Sequence, residues 1–520
     1  MGLDDKTQPL TPVIEARGRL IDRSPVSVID IGSNSVRLVV YEGRSRSPTP
    51  LFNEKVMCGL GRSVAETGKL DPAAAKRALD ALQRFTAISH RLGSGKPWAL
   101  ATAAIREATD GDGFLADVER VCGVKVLVLS GAKEAELAAA GVLSAFHDPL
   151  GVVGDLGGGS LELLSIGAKG SEEGNIDEAV TRKLGGLRLM QRSGGDLAKA
   201  AAHIEADLAS VDWLKGHAGE AFYAVGGTWR AIGKMHMDTA NYPLHVTHGY
   251  RVDAKTMARF CKRLIEYKKG DDVPGLSGVT AGRRDLIPLG ALVLLKIIEA
   301  AKPENIIFSI YGIREGLLFK LLPVAERRKD PLLAFCEDWA KLRARSPDHA
   351  RELCDWTGKL FQPPGPKETP GEQRLRHAAC LMSDVNWRTQ PDYRGEQSLG
   401  LIAHAGLGGL DHAERVFVAL AVFFRHAGIN AEGGAGPLLK LIDRKELARA
   451  KTVGAAIRAA HMLSVGTAGV IGRTRVRYEG KKLIIEVPED LAVLKGERLT
   501  RRMAVLGECL GFTTELRFGN

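Results

Sequence analysis

Val26–Val40 reads VSVIDIGSNSVRLVV and Val152–Ile166 reads VVGDLGGGSLELLSI, and the likeness of these two stretches decides how the chain is read. Each runs apolar and β-branched into one aspartate, Asp30 or Asp155, breaks at glycine and serine, and resumes as an apolar strand. That pattern predicts a β-hairpin whose turn is almost bare backbone. Gly32, Gly157, Gly158 and Gly159 permit positive φ and remove the side chains that would hold an anion away. Their N–H groups, with Ser33, Asn34, Ser35 and Ser160, can cradle phosphate oxygens. Asp30 and Asp155 stand at strand ends, where a carboxylate can hold a divalent cation against those oxygens. One such loop says little, because Asp-Gly turns are common in hairpins. Two copies 125 residues apart imply a duplicated domain with a phosphate cleft between its halves.

The rest of the chain is consistent with that cleft. Its 520 residues, 45% hydrophobic and 26% charged, suit several soluble globular domains. The most apolar stretch, 286–301, is broken by Lys296 and reads as a buried helix, not a membrane span. The first residues lack a basic segment followed by an apolar one, so positions 1–24 read as a flexible tail with no signal peptide. Seven scattered cysteines with no CxxC spacing argue against a disulfide framework or a zinc site, and for a reducing, cytoplasmic setting. The net charge is +10, and residues 321–520 hold 31 Lys/Arg against 24 Asp/Glu. A basic C-terminal region beside a phosphate cleft fits a polyanionic ligand. Aromatic residues make up only 6%, which gives little support for stacking nucleic-acid bases.

Strands and helices alternate over 25–140 and again over 141–322, each half opening on one glycine loop. Helical spacing of apolar residues marks 72–92 and 113–122, and the segment PWALATAAIREA reads as a strand entering a loop. ERRKDP at 326–331 reads as a linker. Residues 323–470 are Ala/Leu/Arg-rich helix, interrupted by the Pro/Gly segment 362–371. Residues 471–520 read as a hairpin, a helix and a strand, a small α/β domain.

Six blocks in order carry a family resemblance: VIDIGSNSVRLVV, GLGRSVAETGKL, ATAAIREATDGDGFL, VLSGAKEAELAAAGV, GDLGGGSLEL, and the closing pair AVGGTWRAI and SIYGIREGLL. With these the chain resembles the exopolyphosphatase / guanosine pentaphosphate phosphohydrolase family, strongly over 25–322 and in outline beyond. The resemblance implies an α/β fold of two actin-like, ribonuclease-H-like halves around a phosphate cleft, then a mainly α HD-like domain and a small α/β tail. It also implies hydrolysis of a terminal phosphoanhydride bond with Mg²⁺ or Mn²⁺, and a homodimer.

The residue chemistry agrees with that activity. Phosphoanhydride hydrolysis needs cationic clamps, an in-line water and a base to orient it. Glu134 opens a helix, where the dipole favours the ionised carboxylate. It matches the family's proposed catalytic glutamate and is the candidate base; the alternative is a residue that only complements the dipole. Glu162, on the strand leaving the second loop, faces the same way as Ser160. It is either a second carboxylate ordering water and cation or a structural partner for an arginine. Asp155, Asp30 and Glu162 form the candidate metal set. Arg106 is a candidate phosphate clamp, the alternative being a pair with Glu107 or Asp110. Gly226, Gly227 and Thr228 form a third turn that holds a remote phosphate or is merely tight, and Gly312–Glu315 reads as structural.

The helical region does not read as a second metal centre. Ser383–Asp384 stands where an HD site needs His-Asp, and His377, His404, His412 and His426 are dispersed. Arg374, Arg376, Arg388 and Arg394 are candidates for a basic track along a long substrate. The favoured activity is processive release of orthophosphate from inorganic polyphosphate. The alternatives are 5′ hydrolysis of guanosine pentaphosphate, an actin-like kinase, and a non-catalytic sensor of polyphosphate or guanosine tetraphosphate. No membrane and no specific nucleic-acid partner are expected.

Overall fold

The structure is a computed structural model, and it describes residues 19–20, 23–167, 176–267 and 273–519. Most of the tail expected over 1–24 lies outside the described residues. The described chain divides into two compact units at 329/330.

The first unit holds two sheets built to one plan. β1 (Val26–Ile31), β2 (Ser35–Tyr41), β3 (Pro50–Met57), β4 (Trp98–Ala101) and β5 (Val126–Val128) form a sheet in the order β3-β2-β1-β4-β5. β6 (Gly151–Leu156), β7 (Leu161–Ile166), β8 (Ile176–Arg182), β9 (Ala221–Val225), β10 (Arg251–Asp253) and β11 (Asn305–Phe308) form the second, ordered β10-β11-β9-β6-β7-β8. In both, an antiparallel three-strand meander joins parallel strands through its first member. β10 is an antiparallel addition at the far edge of the second sheet.

The duplication holds residue by residue. Asp30 lies opposite Arg37 across β1 and β2, and Asp155 lies opposite Glu162 across β6 and β7. Both loops close with the same bond, from Gly32 N to Ser35 O and from Gly157 N to Ser160 O, at 3.0 Å each. A shift of 125 positions maps one hairpin onto the other, with arginine in the first where the second has glutamate.

Period-two alternation divides each strand between two cores. Ile29, Ile31, Val36 and Leu38 pack under the helix Pro72–Arg91. Val28 and Val39 turn the other way, onto Leu137, Leu317 and Leu318. In the second half Val153, Leu164 and Ile166 also face the helix Gly131–Ala145, through Ala135, Ala139 and Val142. The same parity puts Asp30, Arg37, Asp155 and Glu162 on the two sheet faces that look onto the helices Gly131–Ala145 and Ile313–Lys320.

Those two helices approach so closely that glycine is required. A Cβ on Gly316 would lie 1.8 Å from the Leu137 carbonyl oxygen, and one on Gly141 would lie 2.4 Å from that of Gly312. The segment expected to be a loop after β4 is instead a short helix, Ala103–Glu107. ERRKDP is less open than a linker, since the chain is helical over Val324–Arg327.

In the second unit, helices between Pro331 and Ser464 surround a core that includes Trp356, Ile402, Phe423 and Ile457. The Pro/Gly segment stays irregular until Thr369 caps a helix that starts at Pro370. β12 (Arg475–Glu479), β13 (Lys482–Val487) and β14 (Thr513–Phe518) make a three-stranded sheet, packed with the helix Glu497–Leu510. No helix among the described residues is long and apolar enough to cross a membrane.

Gly316→Ala should lower the unfolding midpoint of the first unit, costing at least ~2 kcal/mol by overpacking against backbone. Gly113→Ala, at an exposed helical position with open space around it, should instead stabilise by ~0.5–1 kcal/mol. Denaturant titration of both variants checks the contrast.

Candidate active site

The hairpin loops line a cleft of about 190 Å³ in the first unit. Their carbonyls are anchored on its outer side. Ser33 O accepts from Gly61 N, and Asn34 O accepts from Cys58 N and Gly59 N. Gly157 O accepts from Gly186 N, and Gly158 O from Leu187 N and Arg188 N, at the start of the helix Gly186–Ser193. In a trans peptide the next N–H points opposite to the carbonyl. The N–H groups of Asn34, Gly158 and Gly159 are therefore turned away from those anchors, as a phosphate cradle needs.

The glycines act differently from the sequence expectation. Gly32, Gly157, Gly158 and Gly159 are absent from the positive-φ residues, so no left-handed turn explains them. For Gly158 and Gly159 the constraint is close approach to the other half. A Cβ on Gly159 would sit 2.9 Å from Ala103 Cβ and 3.1 Å from Ser33 Oγ, and one on Gly158 would sit 3.2 Å from Ser33 Cβ. Gly226 is the position where positive φ (105°) does matter, at the turn into the helix Gly227–Thr239. Gly227 and Thr228 line the cleft there.

Four carboxylates gather on this cleft. Glu134, in the first turn of Gly131–Ala145, is buried, and its pKa is pushed up to about 7. Burial is the chief cause; Arg106 opposes it through a hydrogen bond, and Asp155 and Asp30 reinforce it. The helix dipole thus loses to desolvation, and Glu134 is balanced between its two forms near neutral pH. Asp155 is raised to about 6 by burial, against the pull of Arg230, and Asp30 is raised by burial against Arg314 and Arg37. Glu162 is 1% exposed, and burial followed by Glu134 and Asp155 drives its pKa well above the usual carboxylate range. Its Oε1 is buried with no hydrogen-bond partner.

Arg106 does not line the cleft as a phosphate clamp. Its Nη1 donates to Leu129 O at 2.6 Å and to Glu134 Oε2 at 3.2 Å. The anticipated alternative is also corrected, since Glu107 pairs with Arg188 and Asp110 accepts from Leu70 N. Arg106 instead holds the candidate base.

The cations that do line the cleft are Arg37, Lys55, Arg230, Arg283 and Arg314. Arg314, read in the sequence as part of a structural turn, is 7% exposed at the start of Ile313–Lys320. Lys55 is brought down to about 8 by burial and by the guanidiniums of Arg283, Arg37 and Arg230. Arg37 was readable in advance, because it sits in the first hairpin at the position matching Glu162.

The residues present fit a divalent cation, but not in the cage expected from the sequence. Among the described residues no group of three His, Cys, Asp or Glu could hold an ion by itself. Asp30 and Asp155 both lie in the field of guanidiniums, Asp30 of Arg314 and Arg37 and Asp155 of Arg230 and Arg314. Asp155 and Glu162 are adjacent across the ladder, with one orphaned carboxylate oxygen. Two carboxylates, completed by phosphate oxygens and water, suit a Mg²⁺-type ion.

In the helical unit Asp384 receives Arg345 Nε at 2.6 Å and Arg425 Nη2 at 3.2 Å, so guanidiniums occupy its carboxylate. His349 bonds Ser464 and stacks edge-on against His461, and burial keeps both rings below their usual pKa. Neither histidine stood out in the sequence. Arg374 and Arg376 are buried in pairs with Asp330 and Glu368, so they form no exposed track. Arg394 donates to Thr389 O, and Arg388 lies over the Trp387 ring.

Comparison with known proteins agrees with this geometry. Residues 39–325 match the Ppx/GppA phosphatase family, and residues 332–516 match the family described as exopolyphosphatase, C-terminal. Exopolyphosphatase 1 of Mycobacterium tuberculosis is 29% identical over 312 residues, covering 57% of this chain and 88% of its own. A guanosine-5'-triphosphate,3'-diphosphate pyrophosphatase of Photobacterium profundum is 23% identical, covering 77% and 80%. The crystal structure of an exopolyphosphatase from Cytophaga hutchinsonii superposes with a TM-score of 0.50 at 22% identity, over 57% of this chain and 97% of that one. The duplicated hairpins, the cleft between them and both family matches have one meaning: the chain belongs to the Ppx/GppA phosphatase family.

Proposed function

We propose that this protein is an exopolyphosphatase, hydrolysing the terminal phosphoanhydride bond of inorganic polyphosphate and releasing orthophosphate. The observation that carries this reading is the lining of the cleft. Five cationic side chains converge on it, and among the described residues lining it there is no aromatic ring. A substrate that is phosphate along its length can engage every cation, whereas a purine would meet no ring to stack on. Hydrolysis of guanosine pentaphosphate is the second reading, favoured by the Photobacterium relative, whose match extends over 77% of this chain.

Glu134 is the base in this proposal. A pKa of about 7 leaves enough carboxylate to take a proton from water, and enough basicity to do so usefully. Arg106 fixes its carboxylate. The N–H groups of Asn34, Gly158 and Gly159 hold the terminal phosphoryl oxygens, and Arg37, Arg230 and Arg314 balance their charge. Asp155 and Glu162 would hold a divalent cation, Mg²⁺ or Mn²⁺, which neutralises charge on the phosphates when bound. A homodimer and a cytoplasmic location complete the proposal.

Orthophosphate release from long-chain polyphosphate, guanosine pentaphosphate and ATP should be greatest with polyphosphate. Preference for guanosine pentaphosphate would select the second reading. Glu134→Gln should lower kcat by ~10²–10⁴-fold with little change in KM, and should leave the melting temperature unchanged or higher. Unaltered kcat would remove Glu134 from the chemistry.

The pH profile follows from two groups. Glu134 must be ionised, so kcat/KM should climb as pH rises through about 7. Lys55 must be protonated to hold phosphate, so kcat/KM should fall as pH rises through about 8. Lys55→Arg, which stays charged, should move the alkaline limb upward and leave the acid limb in place.

A further inference from the structure

Arg314 and Glu315 are neighbours in the first turn of the helix Ile313–Lys320, and they differ in what they meet. Arg314 lines the cleft, whereas Glu315 lies behind its lining. Both are nearly buried, at 7% and 9% exposed, so each needs a partner in the protein or on a ligand.

Glu315 is satisfied at both oxygens. Its Oε2 accepts from Gly312 N at 2.9 Å, and its Oε1 accepts from the Tyr41 hydroxyl at 2.5 Å. Tyr41 ends β2 in the first sheet, 1% exposed, and packs in one cluster with Val28, Val39, Leu317 and Leu318. Close packing fixes the ring and therefore aims the hydroxyl.

Arg314 is not satisfied in the same way. Its Nε is buried with no hydrogen-bond partner and stands 3.8 Å from Glu315 Oε1, beyond hydrogen-bond reach. Asp30 and Asp155 share its field, and neither is bonded to Nε. A guanidinium beside a carboxylate ordinarily closes to a charge-assisted bond of about 2.8 Å. Here the oxygen that would receive that bond is engaged by the phenol. Gly312, whose N–H holds the other oxygen, is itself set close to the cleft, since a Cβ there would lie 3.8 Å from Asp155 Oδ2.

We propose that Tyr41 is a positioning residue for Arg314: its hydroxyl engages Glu315, so that the guanidinium remains for the phosphates of the substrate. The inference deepens the hydrolase reading and rests on it. Tyr41 does not line the cleft, and it acts through Glu315. Without the hydroxyl, Glu315 Oε1 and Arg314 Nε would be two unsatisfied buried groups of opposite charge, 3.8 Å apart. Pairing would relieve both and would neutralise one cation of the cleft.

The test is calorimetric titration of inorganic tripolyphosphate, with Mg²⁺, into the full chain carrying Glu134→Gln to slow turnover. Tyr41→Phe, which keeps the ring and its packing, should weaken that binding at least fivefold. Glu315→Gln removes the competing charge, so adding Tyr41→Phe to it should change the affinity less than twofold. A hydroxyl that only stabilised the fold would cause equal losses in the two backgrounds. Equal losses would overturn the proposal, as would unchanged affinity in Tyr41→Phe alone. Failure of the hydrolase reading shows separately, as no orthophosphate release from tripolyphosphate by the chain with Glu134 intact.

Discussion

Glu134 and Glu162 are buried, and Asp30 and Asp155 are half-buried, around a single cleft that also holds Arg37, Arg230 and Arg314. Removing that many charges from water is costly unless each finds a compensating neighbour. The compensation here is uneven. Asp30 has Arg314 and Arg37, Asp155 has Arg230, and Glu134 has Arg106, whereas Glu162 is left with a carboxylate oxygen that nothing satisfies. Much of the surrounding architecture serves to keep these groups together.

That architecture is economical in kind. Strand parity decides which side chains reach the cleft, and two helices crossing at glycine bring the sheets close enough for the groups to interact. Gly316 and Gly141 matter because a backbone carbonyl occupies the space of a side chain. Gly158 and Gly159 matter because one loop lies against Ser33 and Ala103 of the other half. Packing and chemistry are thus set by the same close approach.

Much of this was legible in the residues, for specific reasons. The hairpins and the duplication follow from short-range patterns of glycine and alternation, whereas Glu134 was singled out by the family resemblance and not by its local sequence. Lys55, Arg230 and Arg283 were not legible, because a lysine on a strand or an arginine on a helix carries no local sign of facing a cleft. Arg106 was misread for a related reason: its distance to Glu134 depends on how β4 and β5 lie side by side. The dipole argument for Glu134 anticipated an ionised carboxylate, whereas burial raises its pKa to about 7, since desolvation can be judged only after folding. Arg374 and Arg376 show the same limit, being charged in composition yet buried against Asp330 and Glu368.

The exchange of Arg37 for Glu162 between the matching hairpins has one more consequence. Two identical halves would present the same face to either end of a substrate, and the cleft would have no direction. With a cation on one hairpin and a carboxylate on the other, the pseudo-symmetry is broken at a pair of matching positions that both line the cleft. A chain of equivalent phosphate units has no label that marks where to cut. The asymmetry of the protein can provide that label, with water favoured beside the acidic hairpin and the remainder of the polyanion favoured beside the basic one.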